Sequence, residues 1–335
     1  MSRTYDIAVC DSTSLGGETL IRLLEEKRFP IGRFYPLSDL ADSGSSVKFF
    51  GEDLDVTTES AFECTDVDLV FIPCASTVKE SFLQQAMAAE CMVIDGSKGA
   101  AAVPGSLVVL SAKDEELLDH AFVKKRVVIP SSPAAIALSV LHTINDIVAI
   151  ERIDITAFQS VASGGNAGID ELRKQTIDLL NGKPVQSNIF PDRIAYNLIP
   201  QLGSIDDRGI THEEVMIETE ICSGLNITGL DIRSTSVVAP VFYGECLSVT
   251  LDTEYAVAIS ALIDALSDTV RVNIFQGSEY PTLEHAVGAD KVMIGRLRAI
   301  PGRENAISFW LVADGDRQGA LSMISVAERL IRYFL

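Results

Sequence analysis

The chain has 335 residues, of which 47% are hydrophobic and 22% charged, and its formal net charge is −20 at pH 7. These values are typical of a folded chain large enough for two hydrophobic cores, and they exclude a disordered one. The negative charge argues against binding to nucleic acid or to an anionic membrane. No apolar run is long enough to span a membrane and no signal segment precedes the first strand, so we expect a cytoplasmic protein.

The first 130 residues alternate apolar strand-like runs with helical segments. A strand is predicted over residues 5–10 and an amphipathic helix over residues 15–26. Further strands are predicted over residues 32–37, 68–72, 91–95, 107–110 and 126–129, with a helix over residues 78–90. Apolar strands separated by helices favour a parallel sheet covered on both faces, so we predict an α/β, Rossmann-like domain here.

The first strand–helix turn is poorly suited to a dinucleotide. Such a site needs glycines, whereas this turn consists of Ser12, Thr13, Ser14 and Leu15. Thr13 places a branched side chain where a pyrophosphate would approach, and Asp11 adds a negative charge. Gly16 can serve helix packing. The alternative interpretation is a structural turn in which Ser12 or Thr13 caps the helix.

Residues 127–138 lead from a buried strand through a polar turn into an apolar helix. Pro133 is predicted to open this helix, because its missing N–H is one that a helix leaves unpaired. A helix N-terminus would suit an anion or an activated nucleophile. Ser131 and Ser132 have no base close in sequence, so we interpret them as capping residues.

The pattern changes after residue 150. Residues 150–159 and 245–252 alternate apolar and polar side chains, which predicts a mixed or antiparallel sheet. Helices are predicted after residue 167, over residues 255–266 and over residues 318–335, the last one following a strand at residues 306–312.

The six cysteines are Cys10, Cys64, Cys74, Cys91, Cys222 and Cys246. They show no C-x-x-C pair, so we expect buried free thiols, without a disulfide framework or a metal site. Cys246 follows Glu245 in a predicted strand, and alternation should turn the two side chains to opposite faces.

Several segments, in order, resemble the aspartate-β-semialdehyde dehydrogenase family along nearly the whole chain. Val-Ile-Asp-Gly-Ser at 93–97 is similar to its Val-Ile-Asp-Asn-Ser, and Ala-Tyr-Asn-Leu-Ile-Pro-Gln at 195–201 to its Ala-Phe-Asn-Leu-Ile-Pro-Gln. Residues 15–26, 158–165, 294–298 and 310–314 match as well. The resemblance implies an NADP-binding-type domain over residues 1–131, completed by a C-terminal helix at 317–335. It also implies an α+β dimerisation domain over residues 132–316, and hence a homodimer.

The family attacks its aldehyde with a cysteine thiolate, while a histidine moves the proton and NADP accepts the hydride. On the matching motifs, the nucleophile position is Pro133, the base position is Glu245 and the position of the substrate-binding arginine is Val238. Proline has nothing with which to attack. The phosphate-binding arginine falls near Ala101.

Other family residues are also replaced. Cys10 and Thr13 stand at two of the three glycines, and the lysine expected after Glu213 and Glu214 is missing. Gln159 is retained in the substrate pocket, and Glu218 is a second candidate there.

The pattern resembles the Usg-like branch of the family, whose catalytic residues are lost. We therefore predict a pseudoenzyme without bound cofactor, with NADP as the cofactor if there is one. Its binding or regulatory role would involve an unidentified small molecule or protein partner. The alternative is an active NADP-dependent semialdehyde dehydrogenase of amino-acid biosynthesis that uses a displaced nucleophile.

Overall fold

The computed structural model describes residues 3–39, 44–103, 105–110 and 115–333, without the side chains of residues 115–118 and 333. The chain divides into two compact units. The first comprises Met1–Ser132 with Gly319–Leu335, and the second comprises Pro133–Gln318. Among the helices described, none combines the length and the apolar character needed to cross a membrane.

The first unit is built on a parallel sheet with the strand order β2-β1-β5-β6-β7. The strands of the unit are β1 (Tyr5–Val9), β2 (Ile31–Pro36), β3 (Ser46–Phe49), β4 (Glu52–Asp55), β5 (Leu69–Ile72), β6 (Met92–Asp95) and β7 (Arg126–Val128), of which β3 and β4 form a separate two-stranded sheet. Its helices are α1 (Leu15–Glu26), α2 (Glu80–Ala88) and α3 (Glu115–Lys124). The predicted Rossmann-like domain is confirmed.

Apolar side chains cover both faces of this sheet. One cluster joins Val9 and Phe71 to the buried face of α1 and to the C-terminal residues Met323 and Leu330. A second cluster, on Ala8, Val70 and Val93, packs against α2. The C-terminal segment therefore completes the core of the first unit.

Two local predictions for this unit need correction. Residues 107–110 do not form a strand, because they touch the sheet only through a bridge from Val108 to Val128 at its edge. The antiparallel hairpin of β3 and β4 was not predicted. Its short strands are polar, so they lack the apolar pattern from which a strand is recognised.

The second unit is built on a mixed sheet with the strand order β11-β12-β13-β10-β8-β9. Its strands are β8 (Ile150–Gln159), β9 (Asp231–Val238), β10 (Glu245–Thr253), β11 (Val272–Ile274), β12 (Val292–Ile300) and β13 (Arg303–Ala313). Its helices are α4 (Ser132–Ile147), α5 (Gly165–Leu180), α6 (His212–Leu225), α7 (Ile259–Ser267) and α8 (Leu283–Ala286), and α9 (Gly315–Tyr333) begins in it. The predicted α+β architecture is confirmed.

Helix α4 begins at Ser132, one residue before the predicted start at Pro133. Proline is tolerated there because the first four backbone N–H groups of a helix have no partner within the helix. Ala134, Ile136 and Leu138 are fully buried, as expected from the apolar sequence.

The turn from β1 into α1 depends on a glycine, but on Gly17 more than on Gly16. A Cβ atom at Gly17 would lie 2.3 Å from the carbonyl oxygen of Asp11, whereas one at Gly16 would lie 3.3 Å from the nearest atom. The close contact at Gly17 is with backbone, which cannot move aside easily. Gly16 also packs closely, against Pro73 and Cys74, which agrees with the packing role predicted for it, but the tighter constraint lies at Gly17.

We expect Gly17→Ala to lower the free energy of unfolding by about 1–3 kcal/mol, because the new methyl group overlaps the turn. The matched control Gly16→Ala should cost less, since its methyl group would lie 3.3 Å from the backbone oxygen of Cys74, a contact that a small shift can relieve, and alanine favours a helix. Urea unfolding of the full chain, followed by circular dichroism, measures both changes. Equal midpoints for the two variants would contradict this account of the turn.

Candidate functional site

Three predicted site positions lie side by side in the second unit. Gln159 at the end of β8 is directly opposite Val238 on β9 and directly opposite Glu245 on β10. Directly paired residues on neighbouring strands project from the same face of a sheet. We call Val238, Gln159 and Glu245 the polar-edge row.

Gln159 is held in the centre of this row. Its side chain is buried, and Nε2 donates a hydrogen bond to Oε1 of Glu213 at 3.3 Å. The main-chain carbonyl oxygen of Gln159 accepts a hydrogen bond from the backbone N–H of Ala239 at 2.8 Å. The contact with Glu213, in the first turn of α6, was not predicted from the sequence. It joins residues that are far apart in the chain, and no local pattern marks it.

Val238 is fully buried at the end of the row where the family has an arginine. It packs in an apolar cluster that includes Val161, Leu172, Ile194 and Ile199. The backbones of Ile199 and Val238 are also joined by two hydrogen bonds, of 2.8 and 3.1 Å. The position at which the resemblance expects an arginine is thus part of a hydrophobic core.

Glu245 is buried on the row, and its neighbour Cys246 lies on the opposite face, as strand alternation predicts. Cys246 packs with Met293 and Val312. Burial, followed by the charge of Glu245, raises the pKa of the Cys246 thiol to about 12. Since the thiolate is the reactive form, Cys246 is a poor replacement for the missing nucleophile.

The acidic residues of α6 mostly hold local structure. Glu214 accepts the backbone N–H of Thr211 in a capping box and that of Ser236 on β9. Glu218, the second candidate pocket residue, accepts hydrogen bonds from the backbone N–H and the hydroxyl of Ser234. The observed contacts therefore give Glu218 a role in attaching α6 to β9.

Pro133 lies buried in the first turn of α4. Its ring has neither an acid nor a base function, and its nitrogen carries no hydrogen. The position at which the resemblance expects the nucleophile therefore carries no reactive group. Ala101, near which the resemblance places the phosphate-binding arginine, packs against the apolar cluster of Ala100, Val108 and Val128 in the first unit.

The first turn of the Rossmann-like unit is closed by its own side chains. Ser14 caps α1 by accepting the backbone N–H of Gly17 at 3.0 Å, and the hydroxyls of Thr13 and Ser38 are 3.1 Å apart. The carboxylate of Asp11 accepts the hydroxyl of Ser76 at 2.9 Å. Ser12 is fully buried and Leu15 begins the helix. The cap is thus Ser14, and neither Ser12 nor Thr13 fills that role.

The segment 93–97 contains a buried ion pair that was not predicted. Asp95 is fully buried, and its Oδ2 accepts Nε of Arg126 at 2.8 Å. Its Oδ1 accepts the backbone N–H of Ser97 at 2.8 Å. The available signal was a single arginine opening the apolar run 126–129. Across the described part of the chain, no cluster of three or more histidine, cysteine or acidic side chains could hold a metal ion.

Comparison with known proteins matches both units. Residues 6–121 match the family described as semialdehyde dehydrogenase, NAD binding domain, and residues 141–315 match semialdehyde dehydrogenase, dimerisation domain. Aspartate-semialdehyde dehydrogenase 2 of Vibrio cholerae is 31% identical over 100% of both chains. The USG-1 protein homolog of Azotobacter vinelandii is 32% identical over 99% of both chains.

A solved structure of aspartate semialdehyde dehydrogenase II from Vibrio cholerae, complexed with ASA, superposes with a TM-score of 0.95. It is 30% identical, and the match covers 100% of both chains. The segments 15–26, 93–97, 158–165, 195–201, 294–298 and 310–314 lie inside the matched ranges, whereas Pro133 lies between them.

Glu59 provides a test of the charge around the first turn. It is 4% exposed, and burial raises its pKa, as do the charges of Asp39 and Asp11. A raised pKa in the folded state means that stability is lost as the pH rises and Glu59 ionises.

We therefore expect Glu59→Gln to raise the thermal unfolding midpoint at neutral pH. The gain should shrink in acid, where Glu59 is protonated in both the folded and the unfolded state. Scanning calorimetry of both proteins across this range measures the difference. Glu63→Gln, at an exposed position, is the control and should give no comparable gain. A constant gain from Glu59→Gln at every pH would contradict a raised pKa of Glu59.

Proposed function

This chain belongs to the semialdehyde dehydrogenase family, and we propose that it has a binding or regulatory role without dehydrogenase activity. The observation that carries the proposal is the composition of the nucleophile turn and the polar-edge row. Pro133 has no nucleophilic group, Glu245 replaces a histidine, and Val238 is buried in an apolar cluster where an arginine would bind substrate.

The size of these losses supports the proposal. Residues of a covalent mechanism act as a unit, so removing a single one commonly costs several powers of ten in rate. Here the nucleophile, the base and the clamp are all replaced. A general base also needs a positioned substrate. The row has no cationic side chain to bind one, because Gln159 lies between Val238 and the carboxylate of Glu245.

The first turn gives independent support for a chain that does not bind NADP. The matched family domain is an NAD binding domain, so a dinucleotide would approach this turn. Asp11 directs a carboxylate across it towards Ser76, and Thr13 contacts Ser38. These residues do not fit a pyrophosphate, because it needs free backbone amides and no nearby negative charge.

We further propose that the protein is a homodimer assembled through its second unit. Support comes from the match of residues 141–315 to a dimerisation domain. The cytoplasmic location remains a prediction from the sequence. The pocket residues Pro133, Glu245 and Gln159 likewise remain proposals as a ligand site.

We expect no saturable binding of NADPH at physiological cofactor concentrations, measured by fluorescence titration. The cause would be the charge of Asp11 and the side chain of Thr13. The matched variant Asp11→Ala with Thr13→Gly removes both obstacles and should bind measurably more tightly. Saturable binding to the unaltered protein would refute this part of the proposal.

The decisive test is an assay with aspartate semialdehyde, NADP and phosphate. We expect no turnover above background, whereas an active dehydrogenase with a displaced nucleophile would show turnover that a thiol reagent abolishes. The double variant Pro133→Cys with Glu245→His should remain inactive, because Val238 and Ala101 still replace the two arginines. Turnover by the double variant would show that those positions matter less than we infer.

A further inference from the structure

We propose that Cys64 and Cys91 are an oxidation site, a thiol pair that closes to a disulfide when the protein meets a hydroperoxide. The two residues lie in the first unit, in the apolar cluster that covers one face of its sheet. The proposal is independent of whether the chain has dehydrogenase activity.

The first observation is the contact between the two residues. Cys64 lies in the short 3₁₀ turn before β5, and Cys91 directly precedes β6, the strand that pairs with β5. Sγ of Cys91 is 3.2 Å from the carbonyl oxygen of Cys64, and its thiol also hydrogen-bonds to the Cys64 thiol. Both side chains belong to the apolar cluster beneath α2. The Cys91 thiol is therefore already in contact with Cys64 in the folded chain.

The second observation is an asymmetry between the two thiols. The hydrogen bond from Cys91 lowers the pKa of Cys64. The same hydrogen bond, together with burial, raises the pKa of Cys91. Cys64 is therefore the thiol more readily ionised, and Cys91 is poised beside it as the resolving thiol.

The other cysteines differ from this pair. Burial raises the pKa of the thiols of Cys10, Cys222 and Cys246. Their thiolates are therefore scarce at neutral pH, which leaves the half-buried Cys74 as the competing thiol that the experiment has to exclude.

Cys64 is buried beneath a short turn at the surface of the first unit. The residue is 1% exposed, but its neighbours Glu63 and Thr65 are both exposed. The turn that holds it has three residues, from Cys64 to Asp66. Local opening of so short a turn needs far less free energy than global unfolding, and it would expose the sulfur.

The chemistry balances with a hydroperoxide as the two-electron oxidant. The Cys64 thiolate attacks the terminal peroxide oxygen, the O–O bond breaks, and the leaving alkoxide or hydroxide takes up a proton. The resulting Cys64 sulfenic acid is then attacked by the Cys91 sulfur. An S–S bond forms, and the sulfenic oxygen leaves as water with the Cys91 proton.

The bond would link two points that are 27 residues apart in the chain. The segment between them contains β5, α2 and Ser76, which donates to Asp11 on the first turn. Closure would restrict this segment in the unfolded chain, so the oxidised protein should unfold at a higher temperature than the reduced one.

The test treats the folded, fully reduced protein with hydrogen peroxide and then counts free thiols after denaturation. The count should fall from six to four per chain. Digestion with trypsin and an Asp-specific protease places Cys64, Cys74 and Cys91 in the separate peptides 55–65, 68–79 and 80–94. Mass spectrometry should then find 55–65 linked to 80–94.

Two variants sharpen the result. Cys64→Ser should keep its five thiols under the same treatment, because the reactive sulfur is gone. The matched variant Cys74→Ser should still lose two thiols to the same linked peptides. Retention of all six thiols by the unaltered protein, or a link that involves another cysteine, would overturn the proposal. Dehydrogenase turnover would leave it untouched.

Discussion

The strand register of the second unit governs the candidate site. β8 pairs with β9 on one side and with β10 on the other, so residues that are far apart in sequence meet in one row. The side-chain period of a strand is two, and a slip of one residue would turn the entire row to the opposite face. Glu245 would then exchange places with Cys246, and the site would contain a different set of groups. The register thus determines which chemical groups the site can contain.

Within that row, the exchange of charged for apolar groups has structural consequences. An arginine at the end of the row would need space, water or a carboxylate partner. Val238 needs only apolar contacts, which Val161, Leu172 and Ile199 provide. A valine at this position therefore contributes to packing, and it helps to stabilise the segment around Ile199.

The sequence predicted elements with a strong local pattern. Helix α1 spans the predicted residues 15–26, because its apolar face and its polar N-terminal turn agree. The alternation of residues 150–159 likewise predicted β8. The hairpin of β3 and β4 lacked such a pattern. The strand predicted at residues 107–110 failed for the opposite reason: it is apolar because it is buried, while its backbone pairs at a single point.

The identity of the site residues was available from the resemblance, but their environment was not. The sequence placed Val238 at the position of an arginine, and only the fold showed that it is fully buried. The contact between Gln159 and Glu213 joins two side chains that are far apart in the chain. The tight fit at Gly17 depends on its distance from the backbone of Asp11. Such distances leave no trace in periodicity or composition.

The burial of Val238 also bears on how the chain can change over evolutionary time. A single codon change to arginine would place a guanidinium among aliphatic side chains, where an unpaired charge is strongly unfavourable. The surrounding cluster would have to loosen before an arginine could be accommodated, and loosening it would weaken the fold. Packing around Val238 therefore restricts which side chains this position can accept, whatever ligand the neighbouring residues bind.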